Sequence, residues 1–309
     1  MKKTAVRVLS VILIILTFTM PFCASASQPG VSTLTLTYTK DNVIFSGLEI
    51  RLHYIASTDA DGSYKALLPY DAYHVKLNSI TSQTEWSETA STLAGYISAD
   101  GIQPYKAETT SEEGIVSFSA LEEGLYLVEG VSTQANGLIY TFYDFMISLP
   151  GEQGDDSAHK ITAIPKAVIS EPDDEKTKYT VTKLWKDAGS YLRPASVKVD
   201  ILKDGKLYET VTLDDSNNWS YSFETTDTQG VWSVAERDVS ENYTVKVTRR
   251  ESSFVIINTI DPTQGNDPKP PQTGDTAPMR LYIILMCASG LLLVILGIAA
   301  RRKDDAHHR

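Results

Sequence analysis

Cysteine is almost missing from this chain of 309 residues, which contains Cys23 and Cys287 and no others. Each of them lies in or beside a long apolar run close to one end of the chain. The body of the chain between them therefore cannot form disulfides, cysteine-ligated metal sites or cysteine nucleophiles. Any covalent cross-link in this part of the protein must use another chemistry.

Histidine is also scarce, and the body of the chain has only His53, His74 and His159, which are far apart. We interpret such scattered histidines as surface or turn residues, because neither a zinc-ligand spacing nor a Ser-His-Asp pattern is visible. The pair Glu122 and Glu123 lies in a predicted turn, where a solvated surface is expected. The sequence therefore predicts no metal, no cofactor and no enzyme, and an anchored secreted enzyme is the least supported reading.

Positive charge is in short supply as well. The chain has 28 Lys and Arg residues against 39 Asp and Glu residues, for a net charge of −11 at pH 7. A strongly acidic protein is repelled by phosphate backbones and by anionic lipid surfaces. Nucleic acid is therefore excluded as an expected partner.

The first of two long apolar runs, 8–22, follows a positively charged start. The small residues 24–26 come next, and together these features predict a signal peptide over 1–26 that is cleaved after Ala26. Cys23 offers a lipoprotein alternative, but the residues 20–22 before it make a poor lipobox. We therefore expect the protein to be exported.

The second apolar run, 281–300, carries no charge and is long enough to cross a bilayer as a helix. A basic tail beginning at Arg301 follows it, and the positive-inside rule places that tail in the cytoplasm. A Pro-rich stalk over 262–269 precedes the pentapeptide Pro-Pro-Gln-Thr-Gly at 270–274. From hydropathy alone, the run could be a plain C-terminal membrane anchor.

The order of pentapeptide, apolar span and basic tail over 270–309 resembles the LPxTG sorting signal of Gram-positive surface proteins, with Pro270 in place of leucine. The resemblance implies that a sortase cleaves between Thr273 and Gly274 and joins the Thr273 carboxyl to an amine. Insertion of 281–300 in the membrane would then be transient. The expected location is the cell wall and cell surface.

Alternating apolar residues such as Leu34, Leu36 and Tyr38 predict β-strands in a first domain over 27–169. The stretch 64–99 is less regular and is expected to form short helices or an excursion laid over a sheet. The stretches 113–118, 121–129, 145–150 and 161–166 resemble the N-terminal domain of Gram-positive pilins.

The pilin resemblance implies that Lys166 accepts the threonine that sortase delivers from the next subunit. The alternative is an exposed linker lysine, and Ala167 departs from the asparagine that is usual after this lysine. Both interpretations of Lys166 stay open from the sequence.

An acidic linker over 170–178 leads to a second β-rich domain over 179–261. Turn signals recur about every ten residues, among them Asp204-Gly205 and Asn217-Asn218, as in a β-sandwich. The predicted fold is therefore mostly β, with two tandem immunoglobulin-like β-sandwich domains between a signal peptide and a transmembrane helix.

Three polar residues interrupt apolar strand faces in the second domain. By the twofold alternation of a strand, Lys183 shares a face with Val181 and Trp185. The same alternation puts Glu236 beside apolar neighbours on one strand and Asn258 beside apolar neighbours on another. Burying any of these alone is costly, so they must either meet one another or face water at sheet edges.

If the three residues meet, a reaction becomes available to them. Burial disfavours the ammonium form of Lys183, which can then act as a nucleophile. Burial also favours a protonated Glu236, which can polarise the Asn258 carboxamide and shuttle protons. Attack of the amine expels ammonia and leaves a Lys–Asn amide.

Five stretches of the second domain resemble, in order, the motifs of a Cna B-type domain. They are TVTKLW at 180–185, RPASV at 193–197, NNWSY at 217–221, WSVAE at 232–236 and INT at 257–259. The resemblance implies an isopeptide bond between Lys183 and Asn258 with Glu236 as its catalyst. Trp232 stands where the family usually has tyrosine.

A second bond in the first domain is a weaker hypothesis. Glu129 shares a face with Leu125 and Leu127, much as Glu236 does in its own strand, and Lys40 and Asp144 have the parity to join it. However, Lys40 lies at a predicted turn, and Leu34 stands where the reactive lysine is expected. The sequence leaves this bond open.

Taken together, these features predict a wall-anchored pilin subunit with a structural or adhesive role. Its expected partners are sortase and either peptidoglycan or other pilin subunits. The alternative is a monomeric wall-anchored adhesin that binds a host matrix protein through its first domain.

Overall fold

The computed structural model describes residues 31–150, 159–172, 176–189, 193–227 and 229–260. The predicted signal peptide, stalk, sorting signal with Thr273 and Gly274, and span 281–300 lie outside the described residues. Within the described part of the chain, no helix has the length and apolar character needed to cross a membrane. We call 31–170 the N-terminal region and 177–260 the C-terminal region; both belong to one compact unit.

The N-terminal region contains thirteen strands and one α-helix among its described residues. In chain order they are β1 (Ser32–Thr37), β2 (Thr39–Lys40), β3 (Val43–Ile44), β4 (Glu49–Thr58), β5 (Tyr64–Ala66), α1 (Gln83–Asp100), β6 (Lys106–Thr109), β7 (Ile115–Leu121), β8 (Gly124–Val128), β9 (Val131–Ala135), β10 (Leu138–Phe142), β11 (Phe145–Leu149), β12 (Lys160–Ala163) and β13 (Ala167–Ser170). A short 3-10 helix, Tyr70–Ala72, precedes α1.

The C-terminal region consists of seven strands and a short 3-10 helix, Asp215–Asn217, within its described residues. The strands are β14 (Thr177–Lys186), β15 (Ser196–Lys203), β16 (Lys206–Asp214), β17 (Ser220–Thr225), β18 (Trp232–Arg237), β19 (Tyr243–Arg250) and β20 (Ser253–Ile260). Strand β14 begins inside the segment predicted as a linker. The predicted hairpin turn at Asp204-Gly205 is present, and both of its residues have positive φ, as a tight primed turn requires.

The strands of the C-terminal region form two sheets that face each other. One has the order β17-β14-β20-β19 and the other the order β16-β15-β18. The inward faces carry buried residues such as Val181, Val199 and Ile256. The first and last strands, β14 and β20, run parallel and side by side. The mostly β prediction is therefore confirmed, with a sandwich in this region.

The N-terminal region departs from a simple two-sheet sandwich. Its strands form three small sheets, β12-β1-β7, β13-β10-β9 and β11-β8-β4-β5, with β6 added beside β4 and a separate β2-β3 hairpin. In the first of these sheets, β1 and β12 also run parallel and side by side. The irregular stretch before residue 100 contains α1, which accounts for the loss of strand alternation there.

Helix α1 has well-defined ends. The Ser82 side chain accepts a hydrogen bond from the Glu85 backbone N–H, which is the usual N-cap arrangement. Gly101 closes the other end in the left-handed conformation. The buried residues of the second half of α1, among them Leu93 and Ile97, pack against the C-terminal region. One hydrophobic core therefore includes parts of both regions.

Candidate functional site

Lys183, Glu236 and Asn258 meet in the interior of the C-terminal region. Lys183 lies on β14 and Asn258 on the neighbouring strand β20, whereas Glu236 reaches them from β18 in the opposite sheet. All three residues are buried, with 3%, 2% and 1% of their surface exposed. The structure thus brings the three predicted residues together and excludes the reading in which they face water at sheet edges.

The polar contacts join the three side chains through the carboxyl group. Lys183 Nζ lies 3.5 Å from Glu236 Oε2, and Asn258 Nδ2 donates a hydrogen bond of 2.8 Å to Glu236 Oε1. Among the described residues, Asn258 Oδ1 is buried without a hydrogen-bond partner. A buried carbonyl oxygen left unpaired is costly, and this one is free to accept a hydrogen bond from a protonated carboxyl.

Burial changes the acid–base chemistry of the amine. Desolvation lowers the pKa of Lys183 to about 8, although the nearby Glu236 carboxyl opposes this change. The Nζ atom also lies 3.9 Å from the centre of the Trp185 ring and donates a hydrogen bond to the Leu184 carbonyl. About a tenth of the Lys183 population is therefore neutral at pH 7, far more than for an ordinary lysine.

The carboxyl group is affected in the opposite direction. Burial raises the pKa of Glu236, and this effect outweighs the Lys183 charge and the Asn258 hydrogen bond, which both lower it. A protonated Glu236 beside a neutral Lys183 carries no net charge, which suits a low-dielectric interior. An amine, a protonated carboxyl and a carboxamide are the groups that transfer of an acyl group from ammonia to an amine requires.

Several supporting residues were not singled out from the sequence. Asp187 is buried and accepts hydrogen bonds from the Arg193 guanidinium and from the Tyr243 hydroxyl. The Arg193 contact lowers the pKa of Asp187. Arg193 also lies against the Trp185 ring, so this cluster fixes the aromatic wall beside Lys183. The arginine of the RPASV stretch predicts an acidic partner, but the sequence alone does not identify that partner as Asp187.

Among the described residues of the N-terminal region, Glu129 has no lysine and amide partners equivalent to those of Glu236. Lys40 pairs with Asp41 at the surface, and Leu34 is fully buried in the core. Glu129 instead accepts a hydrogen bond of 2.5 Å from His53 Nε2. The structure therefore does not bring Lys40 to Glu129.

Two acidic or basic groups near Glu129 occupy unexpected environments. The interpretation of His53 as a surface or turn residue is wrong: it is fully buried because Glu129 and the Tyr70 hydroxyl satisfy both ring nitrogens. Asp144 accepts a hydrogen bond from the Gly130 backbone N–H, and burial raises its pKa to about 6. In the described residues, no group of three or more histidine, cysteine or acidic side chains could hold a metal.

The remaining predicted residues lie at the surface or outside the described residues. Lys166 is exposed in the short connection between β12 and β13, directly after the buried Pro165. Glu122 and Glu123 are exposed in the turn between β7 and β8, as predicted. Thr273 and Gly274 are outside the described residues.

A protein-family match covers the part of the chain that contains the three buried polar residues. Residues 179–259 match the family model described as "Cna protein B-type domain". The matched range contains Lys183, Glu236 and Asn258. This part of the chain is therefore similar to a Cna B-type domain, and the match does not extend to the N-terminal region.

A curated relative, "Collagen adhesin" from Staphylococcus aureus, is 30% identical over 106 residues, which are 31% of this chain and 9% of the relative. The chain thus spans a small part of that relative's length. Among solved structures, a single B repeat unit of the collagen-binding surface protein of S. aureus is 16% identical, with a TM-score of 0.26. The shaft pilin SpaA from Lactobacillus rhamnosus GG is 15% identical, with a TM-score of 0.28. Each match covers 75% of this chain and 98% of the other.

Proposed function

We propose that this chain is a wall-anchored surface protein of the pilin type, strengthened by an amide bond between Lys183 and Asn258. The observation that carries the proposal is the buried contact of an amine, a carboxyl and a carboxamide. Such a group of polar residues is expensive to bury, and a buried ion pair is seldom retained for stability alone. Formation of the amide replaces the ionisable Lys183 amine with a neutral group, so no ammonium has to be buried there.

The reaction needs no external reagent. Neutral Lys183 Nζ attacks Asn258 Cγ, and the new C–N bond forms as the carbonyl carbon becomes tetrahedral. The nitrogen passes one proton to Glu236, and the Glu236 carboxyl delivers a proton to Asn258 Nδ2. The Cγ–Nδ2 bond then breaks and ammonia leaves, so one amide replaces one amine and one carboxamide.

The short contact between Glu236 and Asn258 supports this order of events. Asn258 Nδ2 is the leaving nitrogen, and it already donates to Glu236 Oε1 at 2.8 Å. The carboxyl is therefore within reach of the atom that must be protonated. Because the groups are held together by the fold, proximity alone supplies roughly 7–11 kcal/mol of the barrier. The reaction runs once per chain, so the protein modifies itself and has no turnover.

The direct test is the intact mass of the ectodomain, residues 27–261. We expect the folded protein to weigh less than its sequence by the mass of one ammonia. Peptide mapping should recover a branched fragment that joins the segments around Lys183 and Asn258. A full sequence mass after complete folding would overturn the proposed bond.

The rate of bond formation should depend on pH in a bell-shaped manner. The reactive pair is neutral Lys183 with protonated Glu236. It holds one titratable proton, as does the ion pair of the Lys183 ammonium and the Glu236 carboxylate, so pH does not change the balance between these two forms. Acid adds a second proton and fixes the lysine as ammonium, whereas alkali removes the last proton from the pair. We therefore expect the alkaline limb near the Lys183 pKa of about 8. Ectodomain purified unfolded in urea from inclusion bodies has not yet formed the bond. Refolding it across a pH series, with mass measured over time, checks this profile; a rate that rises continuously above that pKa would contradict it.

Attachment to the wall is the second part of the proposal. The sorting signal predicts that sortase cleaves between Thr273 and Gly274, after transient membrane insertion of 281–300. The Thr273 carboxyl is then joined to peptidoglycan or to a lysine of another subunit. The exposure of Lys166 between two strands supports it as that acceptor, because a nucleophilic lysine must be reachable by the enzyme.

A second candidate function is a monomeric wall-anchored adhesin that binds a host matrix protein. The match to a protein named "Collagen adhesin" favours this alternative. In that case Thr273 would be joined to peptidoglycan only, and Lys166 would be an ordinary surface residue. Both candidates use the same Lys183–Asn258 bond, so the fate of Lys166 separates them.

A further inference from the structure

The edge of the C-terminal sandwich is completed by the N-terminal region. Strand β19 ends one sheet, and an edge strand leaves backbone N–H groups without partners in its own sheet. Two of these groups are satisfied from the other region. Val245 N–H donates to the His74 carbonyl at 2.9 Å, and Val247 N–H donates to Thr92 Oγ1 at 2.8 Å.

The approach of α1 to the opposite sheet is equally close. A Cβ atom added at Gly95 would lie 2.2 Å from the Val234 carbonyl oxygen on β18, a distance that no side chain could adopt. Leu93 and Ala94 of α1 share one core cluster with Val234 and Ala235. Helix α1 therefore covers the open side of the sandwich, where β18 and β19 end the two sheets.

Ion pairs at both ends of α1 fix this position. Glu88 lies 2.6 Å from Lys246 Nζ and accepts a hydrogen bond from Thr248. Asp100, at the other end of the helix, lies 2.7 Å from Arg237. Arg237 directly follows Glu236 in β18, so the second pair anchors the helix beside the cross-link centre.

A pocket partly open to solvent lies next to Glu236, where the N-terminal region meets β18. It has a volume of about 210 Å³ and is lined by Tyr73 and Tyr96 from the N-terminal region and by Glu236 and Arg237 from β18. Tyr96 is 94% buried, and its hydroxyl has no hydrogen-bond partner among the described residues. Its ring stacks on Tyr73 at 4.7 Å between centroids. Without α1, this side of Glu236 would open to water.

We propose that the N-terminal region acts in cis as a cover for the cross-link centre, so that the Lys183–Asn258 bond forms rapidly only after α1 has docked. In this role Thr92, Gly95 and Tyr96 are positioning residues, since none of them contacts the reacting atoms. The inference rests on the proposed bond. It adds that a separate region of the chain controls when that bond is made.

The physical reason is the water that docking removes. Burial raises the pKa of Glu236, and water reaching the carboxyl would move that pKa back toward its ordinary range. A lower pKa decreases the protonated fraction of Glu236 near neutral pH. The ionised form cannot protonate the departing ammonia, so the rate should fall with it.

The test starts from ectodomain purified unfolded from inclusion bodies, before the bond has formed. The rate of bond formation during its refolding is measured as loss of one ammonia by intact mass. Gly95→Ala puts a methyl group against the Val234 carbonyl, and Tyr96→Ala opens the cavity. Each should slow the bond about tenfold, which is part of the roughly 10²–10⁴-fold that a positioned general acid contributes. Tyr96→Phe keeps the ring and should react at the wild-type rate. Ser87→Ala, on the exposed face of the same helix, is the matched control.

A second pair of variants addresses docking through one hydrogen bond. Thr92→Val has the same shape but cannot accept from Val247 N–H, and it should slow the bond, whereas Thr92→Ser should restore the rate. Hydrogen exchange provides an independent measure of docking. The amides of Val245 and Val247 should lose protection in the slow variants, while those of β14 stay protected.

The outcomes distinguish the proposal that α1 docking controls the rate from the proposal that the Lys183–Asn258 bond forms at all. If the wild type forms the bond and undocked variants form it equally fast, the cover is overturned and the bond stands. Slow variants that have also lost β14 protection overturn the cover too, because loss of the fold then explains them. A wild type that never loses ammonia overturns the bond and, with it, the need for a cover.

Discussion

Replacement of Glu236 by glutamine should leave the ectodomain at its full sequence mass. Glutamine has the same shape and no charge, but it cannot accept the proton from Lys183 or supply one to the leaving nitrogen. The missing bond would otherwise close a loop of about 75 residues, which by the chain-entropy estimate for cross-links is worth roughly 4–5 kcal/mol. We therefore expect the free energy of unfolding in urea to fall by about that amount.

The matched control for this variant is Glu224→Gln on β17, where the side chain is exposed. It should retain both the missing ammonia and the wild-type stability. Asn258→Ala should lack the bond as Glu236→Gln does, because it removes the acyl group. If Glu236→Gln still lost ammonia at the wild-type rate, the proton-transfer role of Glu236 would be wrong.

Replacement of Lys166 by alanine should convert a ladder of high-mass species in wall extracts into single subunits. The reason is that the exposed amine between β12 and β13 is the proposed acceptor of Thr273 from the next subunit. Little change in stability is expected, because surface substitutions usually alter the free energy of unfolding by less than about 0.5 kcal/mol. Immunoblots of wall material released by a muramidase provide the measurement.

Lys160→Ala is the control for this experiment, because Lys160 is also exposed and begins the neighbouring strand β12. Its ladder should be unchanged. A ladder that persists in Lys166→Ala would assign the acceptor to another lysine. If the wild type itself gave no ladder, the chain would not be a polymerising shaft subunit, and the monomeric adhesin would be the better description.

Strand alternation was sufficient to place the three polar residues on apolar strand faces because their apolar neighbours are so regular. Val181 and Trp185 on one strand, and Ile256 on another, define inward faces without ambiguity. The twofold period then places Lys183 and Asn258 on those faces. What alternation could not supply was the pairing of β18 across the sandwich, which determines that Glu236 meets them.

Helix α1 was harder to predict because its sequence is a weak helix former. Thr and Ser are frequent in it, and Gly95 lies in its second half, where it lowers helix propensity. The usable signal was the Ser82-to-Glu85 spacing, which is typical of an N-terminal cap. Its contact with the C-terminal region left no local trace, because the small size of Gly95 has meaning only once β18 is known to lie against it.

The environment of His53 was also beyond the sequence. Its partners, Tyr70 and Glu129, are distant in the chain and meet only through the pairing of β4 with β8 and the turn at the short 3-10 helix. A histidine with both nitrogens satisfied can be buried without the usual desolvation cost. Scattered spacing along the chain therefore says little about whether a histidine is exposed.

The parallel pairing of β14 with β20 determines how the protein would respond to a pulling force. With the proposed amide in place, tension that enters at Thr177 crosses from Lys183 to Asn258 and leaves through Ile260. The intervening strands β15 to β19 then lie outside the path of tension, so about 250 Å of chain would never extend under load. The surface that α1 contacts belongs to β18 and β19. We therefore expect α1 to stay docked on it when the protein is stretched.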